Sequence, residues 1–459
     1  SSEHYRGPKS GRARTLGGTS SLWGGRLIPL NLEDMAAREM LDIPAWPITH
    51  DELYAKRHEV EALFGVSRGE GFDLKAQSSR QQRPLYDDDG DVRCRAPKVV
   101  PLNRRNIYRT HRRELRANPN LKVYSDATVT GVDLDTDTRR ARAVTTGGVH
   151  GRSLKVSFDR LIVAAGTLES TRLLLLIDRE YEQVFAGCEV LGRYFSDHIA
   201  LDAGPVRSYA RNAIGFLVGH ASQEGIRRAA HFELTARAQM QEQVASAYLC
   251  LRLDITAGPV AGLRRAIKSG QSPLWSESWA YLLASPKAAA QAALWRMLHR
   301  QQDLPAFIKI ASEIRIEQAP AAANRISLST DAHDRFGVPR ARIDWGLTET
   351  DVRTFSKALQ YYQSYWVRGQ LDRQCAIDWA GAEDLNRALE SGLARDVAHP
   401  SGGTRMGTDP RYSVVGPDLS CHAIPNVSVL SPSVFPSAGS VNPMLSLMSL
   451  AMRLTEHLH

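Results

Sequence analysis

The run F-D-R-L-I-V-A-A-G-T-L-E-S-T-R-L-L-L-L-I, residues 158–177, constrains this chain most. A short apolar stretch ends in Ala164, Ala165 and Gly166 and turns at once into a segment of helical spacing, with Glu169 and Ser170 in its first turn. A buried strand passing through glycine into a helix is how an α/β sheet presents backbone N–H groups to a phosphate or an adenosine. A second constraint lies at the C-terminus, which opens A-H-P-S-G-G-T-R-M-G at residue 398. His399 precedes Pro400, which biases it away from α geometry. Gly402 and Gly403 then let backbone approach a ligand. The V-S-V-L run, residues 427–430, reads as a short buried strand, and Asn442-Pro443 opens an apolar segment of helical spacing. Asn442 therefore falls at a helix start, where amide donors and a positive dipole end collect.

The remaining composition narrows the class. A chain of 459 residues, 43% hydrophobic and 24% charged, suits a globular protein of two or three domains. No run approaches the roughly 18 apolar residues of a membrane span, and no basic-then-apolar leader is seen. The net charge of +8 is spread along the chain, so nucleic acid is not the expected partner. The five cysteines (Cys94, Cys188, Cys250, Cys375 and Cys421) lie far apart, with neither metal-site nor disulfide-framework spacing. They favour a reducing compartment, and the expected location is cytoplasmic.

Near the start, R-A-R-T-L-G-G-T-S-S-L-W-G-G (residues 12–25) brackets a Thr-Ser-Ser cluster and a tryptophan with four glycines. Such a loop offers backbone N–H and hydroxyl donors to an anion or a heterocycle.

These three stretches together resemble the glucose-methanol-choline family of flavin-dependent alcohol oxidoreductases. The resemblance runs from about residue 12 to the end and adds L-G-R-Y-F-S-D-H at residues 191–198. It implies FAD as cofactor. Arg14, Leu16, Gly17, Gly18, Thr19, Ser20, Trp23, Gly24 and Gly25 are then expected beside the flavin and pyrophosphate. Val129, Ala165, Gly166 and Ser170 are expected on the strand–helix side, and Pro432, Ser433, Asn442, Pro443 and Met444 on the C-terminal side. His399 and Asn442 become the catalytic pair facing the flavin, with Gln318 joining them at the substrate. The chemistry fits, since removing hydride from a carbinol carbon needs the hydroxyl proton taken by a base of near-neutral pKa. A nearby amide donor can hydrogen-bond the alkoxide that develops. His198, beside Asp197, reads as structural. The family often carries an acidic residue where this chain has Ser431-Pro432, so that contact is in question.

The family also has a strand, G-x-G-x-x-G and helix ahead of its L-G-G segment, and no such unit occurs in this sequence. A βαβ piece of roughly 30 residues or more is therefore expected to be omitted or cleaved. The expected fold is α/β: a discontinuous Rossmann-like FAD domain (1–35, 95–205 and 396–459) and an α+β substrate domain with an antiparallel sheet (206–395). Residues 36–94 connect them or form a lid, with a capped helix ending at Gly65. Further strands are expected at 121–125, 127–133, 247–255, 308–318, 325–329 and 339–345, and a helix after Thr348. The Ala-rich stretch 263–300, with Trp275, Trp279, Tyr281 and Trp295, reads as a lid or packing helix. The expected reaction is oxidation of a CH–OH group of a small-molecule alcohol, preferably a sugar, glycoside or cyclitol. The electron acceptor is left open between oxygen, a quinone and a carrier protein, as is homo-oligomerisation. The alternative is a non-catalytic or partial subunit that completes a flavin site with another polypeptide.

Overall fold

The structure is a computed structural model that describes residues 5–7, 11–69, 71–72, 88–182, 184–219, 221–254, 294, 297 and 309–457. The stretch 263–300 thus lies, but for Leu294 and Met297, outside the described residues.

Alternating apolar residues build a large antiparallel sheet, in the spatial order Cys375–Ile377, Ile199–Tyr209, Lys309–Ile316, Ala247–Asp254, His231–Leu234 and Val92–Arg95. The two-residue strand Arg395–Asp396 also pairs with Ile199–Tyr209. The expected strands at 247–255 and 308–318 are its centre, in register from Ala247 opposite Ile316 to Asp254 opposite Lys309.

Across the sheet lies the helix Glu349–Arg368, started by a capping box between Thr348 and Asp351. Its buried stripe of Phe355, Leu359, Tyr362, Tyr365 and Trp366 follows helical period. The polar tips of that stripe are satisfied: Tyr362 Oη donates to the Ala247 carbonyl at 2.9 Å, and Trp366 Nε1 to that of Cys375 at 2.8 Å. Burying side chains of this size contributes about 1.5–3 kcal/mol each.

A second core collects the N-terminal segment, the strand–helix element and the C-terminus. Here Leu161–Val163 pairs in parallel with Val427–Val429, and Leu161–Val163 leads into the helix Gly166–Glu180. Thr128–Asp135, Arg140–Gly147 and Ser153–Ser157 form a three-stranded antiparallel sheet nearby. The helix Met444–Glu456 buries Leu445, Leu450 and Leu454. Tyr54 ties it down, its hydroxyl 2.7 Å from Ser446 Oγ and accepting from the Leu30 N–H at 2.8 Å.

Two local expectations change. The helix beginning after Thr49 is two, His50–Tyr54 and Arg57–Leu63, because Lys56 leaves helical geometry at φ −102° and ψ 25°. Residues 121–125 are not a strand: Leu121, Val123 and Tyr124 are exposed and no described strand pairs with them. β-branched and aromatic side chains favour a strand only where a ladder partner exists.

Candidate active site

Four separate stretches meet around one cavity of about 830 Å³, within the ~300–1,000 Å³ usual for small-molecule and cofactor sites. Residues 11–14, 19 and 23–24 form one wall; Thr128, Val129, Val144 and residues 161–169, 172, 173 and 176 another; residues 398–400, 432, 442–444 and 447 close it.

Of the residues expected beside the cofactor, Arg14, Thr19, Trp23, Gly24, Val129, Ala165, Gly166, Pro432, Asn442, Pro443 and Met444 line this cavity. Others stand behind it. Gly17 and Gly25 hold φ of 86° and 78°, where a side chain is strained, and Ser20 Oγ donates to the Gly17 carbonyl at 2.5 Å. Gly18 opens the single turn Gly18–Ser21, and Leu16 is exposed. Ser170 Oγ accepts from the Ala165 N–H at 3.2 Å, and the buried Ser433 bonds Thr404. Gln318 is buried too: its Oε1 accepts from Trp345 at 2.7 Å and from the Asp197 N–H at 3.3 Å. Gln318 therefore supports the site's backbone and does not line its wall.

Two features of the wall suit a phosphate-bearing flavin. The helix Gly166–Glu180 begins at the cavity with no side-chain cap at Ala165, so its positive end is free for an anion. Beside it, Arg12 and Arg14 reach Glu169 Oε1 at 3.1 and 3.0 Å, and Arg172 reaches Glu169 Oε2 at 3.1 Å and Asp334 at 2.8 Å. Burial pushes the Glu169 carboxyl upward, but Arg12 and Arg172 win and hold it below the usual carboxylate range. Three guanidiniums against two carboxylates leave the cluster cationic. Arg12, Glu169 and Arg172 were not expected from sequence. The signal available was Arg12 two residues before Arg14, but its carboxylate lies 157 residues away.

Gly24 gives a further test of fit. Its backbone does not need glycine, and a Cβ there meets nothing within 4 Å. The open space is the cavity itself, which a side chain would enter.

His399 and Asn442 share the wall, with Asn442 Nδ2 3.4 Å from His399 Nε2. The buried Asn442 Oδ1 has no partner, as expected of a group reserved for a ligand. The His399 segment is clamped antiparallel to the start of the Ile199–Tyr209 strand by reciprocal backbone bonds between Ser196 and Ser401 of 3.0 and 2.8 Å. Gly402, at φ 72°, lets that pairing approach the backbone of Tyr194. Asp197 Oδ1 accepts the His399 N–H at 2.8 Å, while its Oδ2 accepts from Tyr5 Oη at 2.9 Å. Burial, then the neighbouring His198 and Arg315, push His399 well below its ordinary pKa, so the ring is neutral.

The fold that carries this cleft is shared with solved flavin-dependent enzymes. Formate oxidase superposes with a TM-score of 0.52 at 14% identity, over 97% of this chain and 84% of that one. An FAD-dependent oxidoreductase from Chaetomium thermophilum gives 0.57 at 13% identity, over 97% and 86%. Residues 320–451 match the family model described as GMC oxidoreductase, a family of FAD-dependent flavoproteins.

Relatives in the family are named oxidases and dehydrogenases. Paromamine 6'-oxidase of Streptomyces fradiae is 33% identical over 158 residues, which span 33% of this chain and 27% of that protein. The fructose dehydrogenase large subunit of Gluconobacter japonicus is 28% identical over 139 residues, 30% of this chain and 23% of that one. The matched segments thus span about a quarter of each relative's length. No helix among the described residues is long and apolar enough to cross a membrane.

Proposed function

We propose that this protein is an FAD-dependent oxidoreductase that oxidises a CH–OH group, with His399 as general base and Asn442 orienting the hydroxyl. The observation that carries this reading is the pairing of His399 with an unsatisfied Asn442 on the wall of the cavity. Bound there, FAD supplies the hydride acceptor. Arg12, Arg14 and the start of the Gly166–Glu180 helix would hold its negatively charged part, and the open space beside Gly24 would take some of its bulk. His399 Nε2 takes the hydroxyl proton while Asn442 Nδ2 donates to the same oxygen, so charge developing on it meets a fixed dipole.

The substrate class we propose is a sugar, glycoside or cyclitol. The names of relatives acting on paromamine and fructose support it, as does that of the C-glycoside 3-oxidase of Arthrobacter globiformis. Oxygen, a quinone or a carrier protein receives the electrons. The division into a cofactor unit (1–35, 95–205 and 396–459), a connecting segment (36–94) and a substrate unit (206–395), and a cytoplasmic location, belong to the same proposal. The test is the visible spectrum of the purified protein. Flavin bands that bleach anaerobically with paromamine or D-fructose support the reading; a protein that stays colourless after incubation with FAD overturns it.

One observation favours a second reading, in which further polypeptide completes the flavin site. The parallel sheet has two strands among the described residues, and Ile162, on the cavity wall, is 39% exposed. A polypeptide that co-purifies and is needed for flavin retention would establish it.

A further inference from the structure

The dipeptide Asp197-His198 sits where the clamped segments meet, and its two side chains grip His399 differently. Asp197 holds the backbone, as described. His198 holds the ring, its Nδ1 3.0 Å from His399 Nδ1 with the ring planes at 87°. The other nitrogen, His198 Nε2, lies 2.6 Å from the carbonyl oxygen of Gly439.

These contacts fix where the protons are. A carbonyl oxygen only accepts, so His198 Nε2 carries a hydrogen. His198 is fully buried, and burial lowers its pKa despite the Gly439 carbonyl and Glu317, so it is neutral with a bare Nδ1. Two ring nitrogens 3.0 Å apart need one hydrogen between them. It must come from His399 Nδ1. His399, also neutral, then has its free lone pair on Nε2, the nitrogen beside Asn442.

We infer that His198 is a positioning residue that fixes the Nδ1-protonated tautomer of His399, through the chain Gly439 carbonyl, His198 and His399, leaving Nε2 as the proton acceptor. The inference rests on the functional reading above only for the use made of that lone pair.

The relay is anchored beyond the histidines. The N–H groups of Ala438 and Gly439 donate to Glu317 Oε1 at 3.0 and 2.9 Å, and Arg38 grips the same carboxylate at 2.6 and 2.9 Å. At φ 55°, Gly439 leaves no room for a Cβ against Leu30 and Asp34, so the carbonyl that orients His198 has one available direction. The chain from Arg38 to Asn442 joins residues distant in sequence into one hydrogen-bonded line.

The test is 15N NMR of the oxidised holoprotein labelled at histidine, with the His399 signals assigned by comparison with His399→Gln. The wild type is expected to show a protonated Nδ1 and a bare Nε2 on His399; a protonated Nε2 overturns the inference. In His198→Gln the amide nitrogen falls near the old Nε2 and nothing accepts at the old Nδ1, so His399 should lose its tautomer preference. In His198→Asn the amide oxygen falls near the old Nδ1 and should restore it. Unchanged His399 shifts in His198→Gln also overturn the inference, and if that variant does not fold the wild-type spectrum decides.

Flavin reduction by whichever of paromamine and D-fructose bleaches the wild type should slow about 10–100-fold in His198→Gln, by analogy with partners that orient a metal-binding imidazole, and recover in His198→Asn. If His399→Gln still reduces normally, the functional reading fails, while the tautomer result stands or falls on the spectra alone.

Discussion

Two buried polar regions of this protein are built on opposite plans. On the large sheet, charges meet charges: Glu233, 1% exposed, takes Arg93 at 2.7 Å and Arg95 at 3.4 Å. Burial would raise its carboxyl, yet the two arginines hold it far below the ordinary range. Glu313 is treated likewise by Arg315, Arg252 and Arg395. At the cleft, His198, His399 and Asn442 carry no charge and are linked by neutral hydrogen bonds, with Asn442 Oδ1 left over. The sheet's carboxylates face arginines, although Arg252 Nε and both His231 nitrogens lack a hydrogen-bond partner among the described residues, whereas the cleft leaves an uncharged amide oxygen on the cavity wall. The first pattern makes the loss of one partner costly, and the second leaves an acceptor for a ligand.

Four outcomes would sharpen or break that contrast. His399→Gln should retain flavin and near-normal thermal stability but lose about 10²–10⁴-fold in the rate of flavin reduction, the usual weight of a general base, read by anaerobic stopped-flow. Glu233→Gln should do the reverse, leaving Arg95 buried without its carboxylate at a cost of about 3–5 kcal/mol. Urea unfolding would show this, and an unchanged midpoint would remove the sheet from the comparison. Gly24→Leu should leave unfolding unchanged, because its surroundings are open, and weaken FAD binding by about 1–3 kcal/mol, as overfilling a packed space does; titration of the stripped protein with FAD measures it.

The smallest effect concerns pH. Burial, against the pull of Glu233, brings His231 down to about 4, whereas the unfolded chain titrates near ~6.5. Between those values the unfolded state binds more protons, so this contribution is complete above about 6.5 and is lost as pH falls towards 4. Asp34 and Asp351, which burial pushes up to about 6, act in the opposite sense. The measurement is therefore a difference: melting temperature against pH should fall less steeply on the acid side in His231→Phe, which can keep the stack on Tyr248, than in the wild type.

Much of the site was legible because its signals are short. H-P-S-G-G and N-P each mark a local backbone event, and both residues so marked reached the cavity wall. The capping box at Thr348 and the glycine after the Leu161–Val163 strand were similarly readable. What failed had a remote cause. The segment 121–125 has strand composition but no described partner, and the helix after Thr49 breaks at Lys56 although its composition is helical throughout. Glu169 reads as a first-turn acid, yet its meaning comes from Arg12 and Arg14.

By itself, then, the sequence determined the local turns and caps and the short motifs that carry the family resemblance, since each depends on neighbours a few positions away. Only the tertiary structure decided that His198 meets His399 from 201 residues away and that Gly439 orients them both. A hydrogen-bond partner and a tautomer are set by which groups folding brings within about 3 Å, and no local pattern records that.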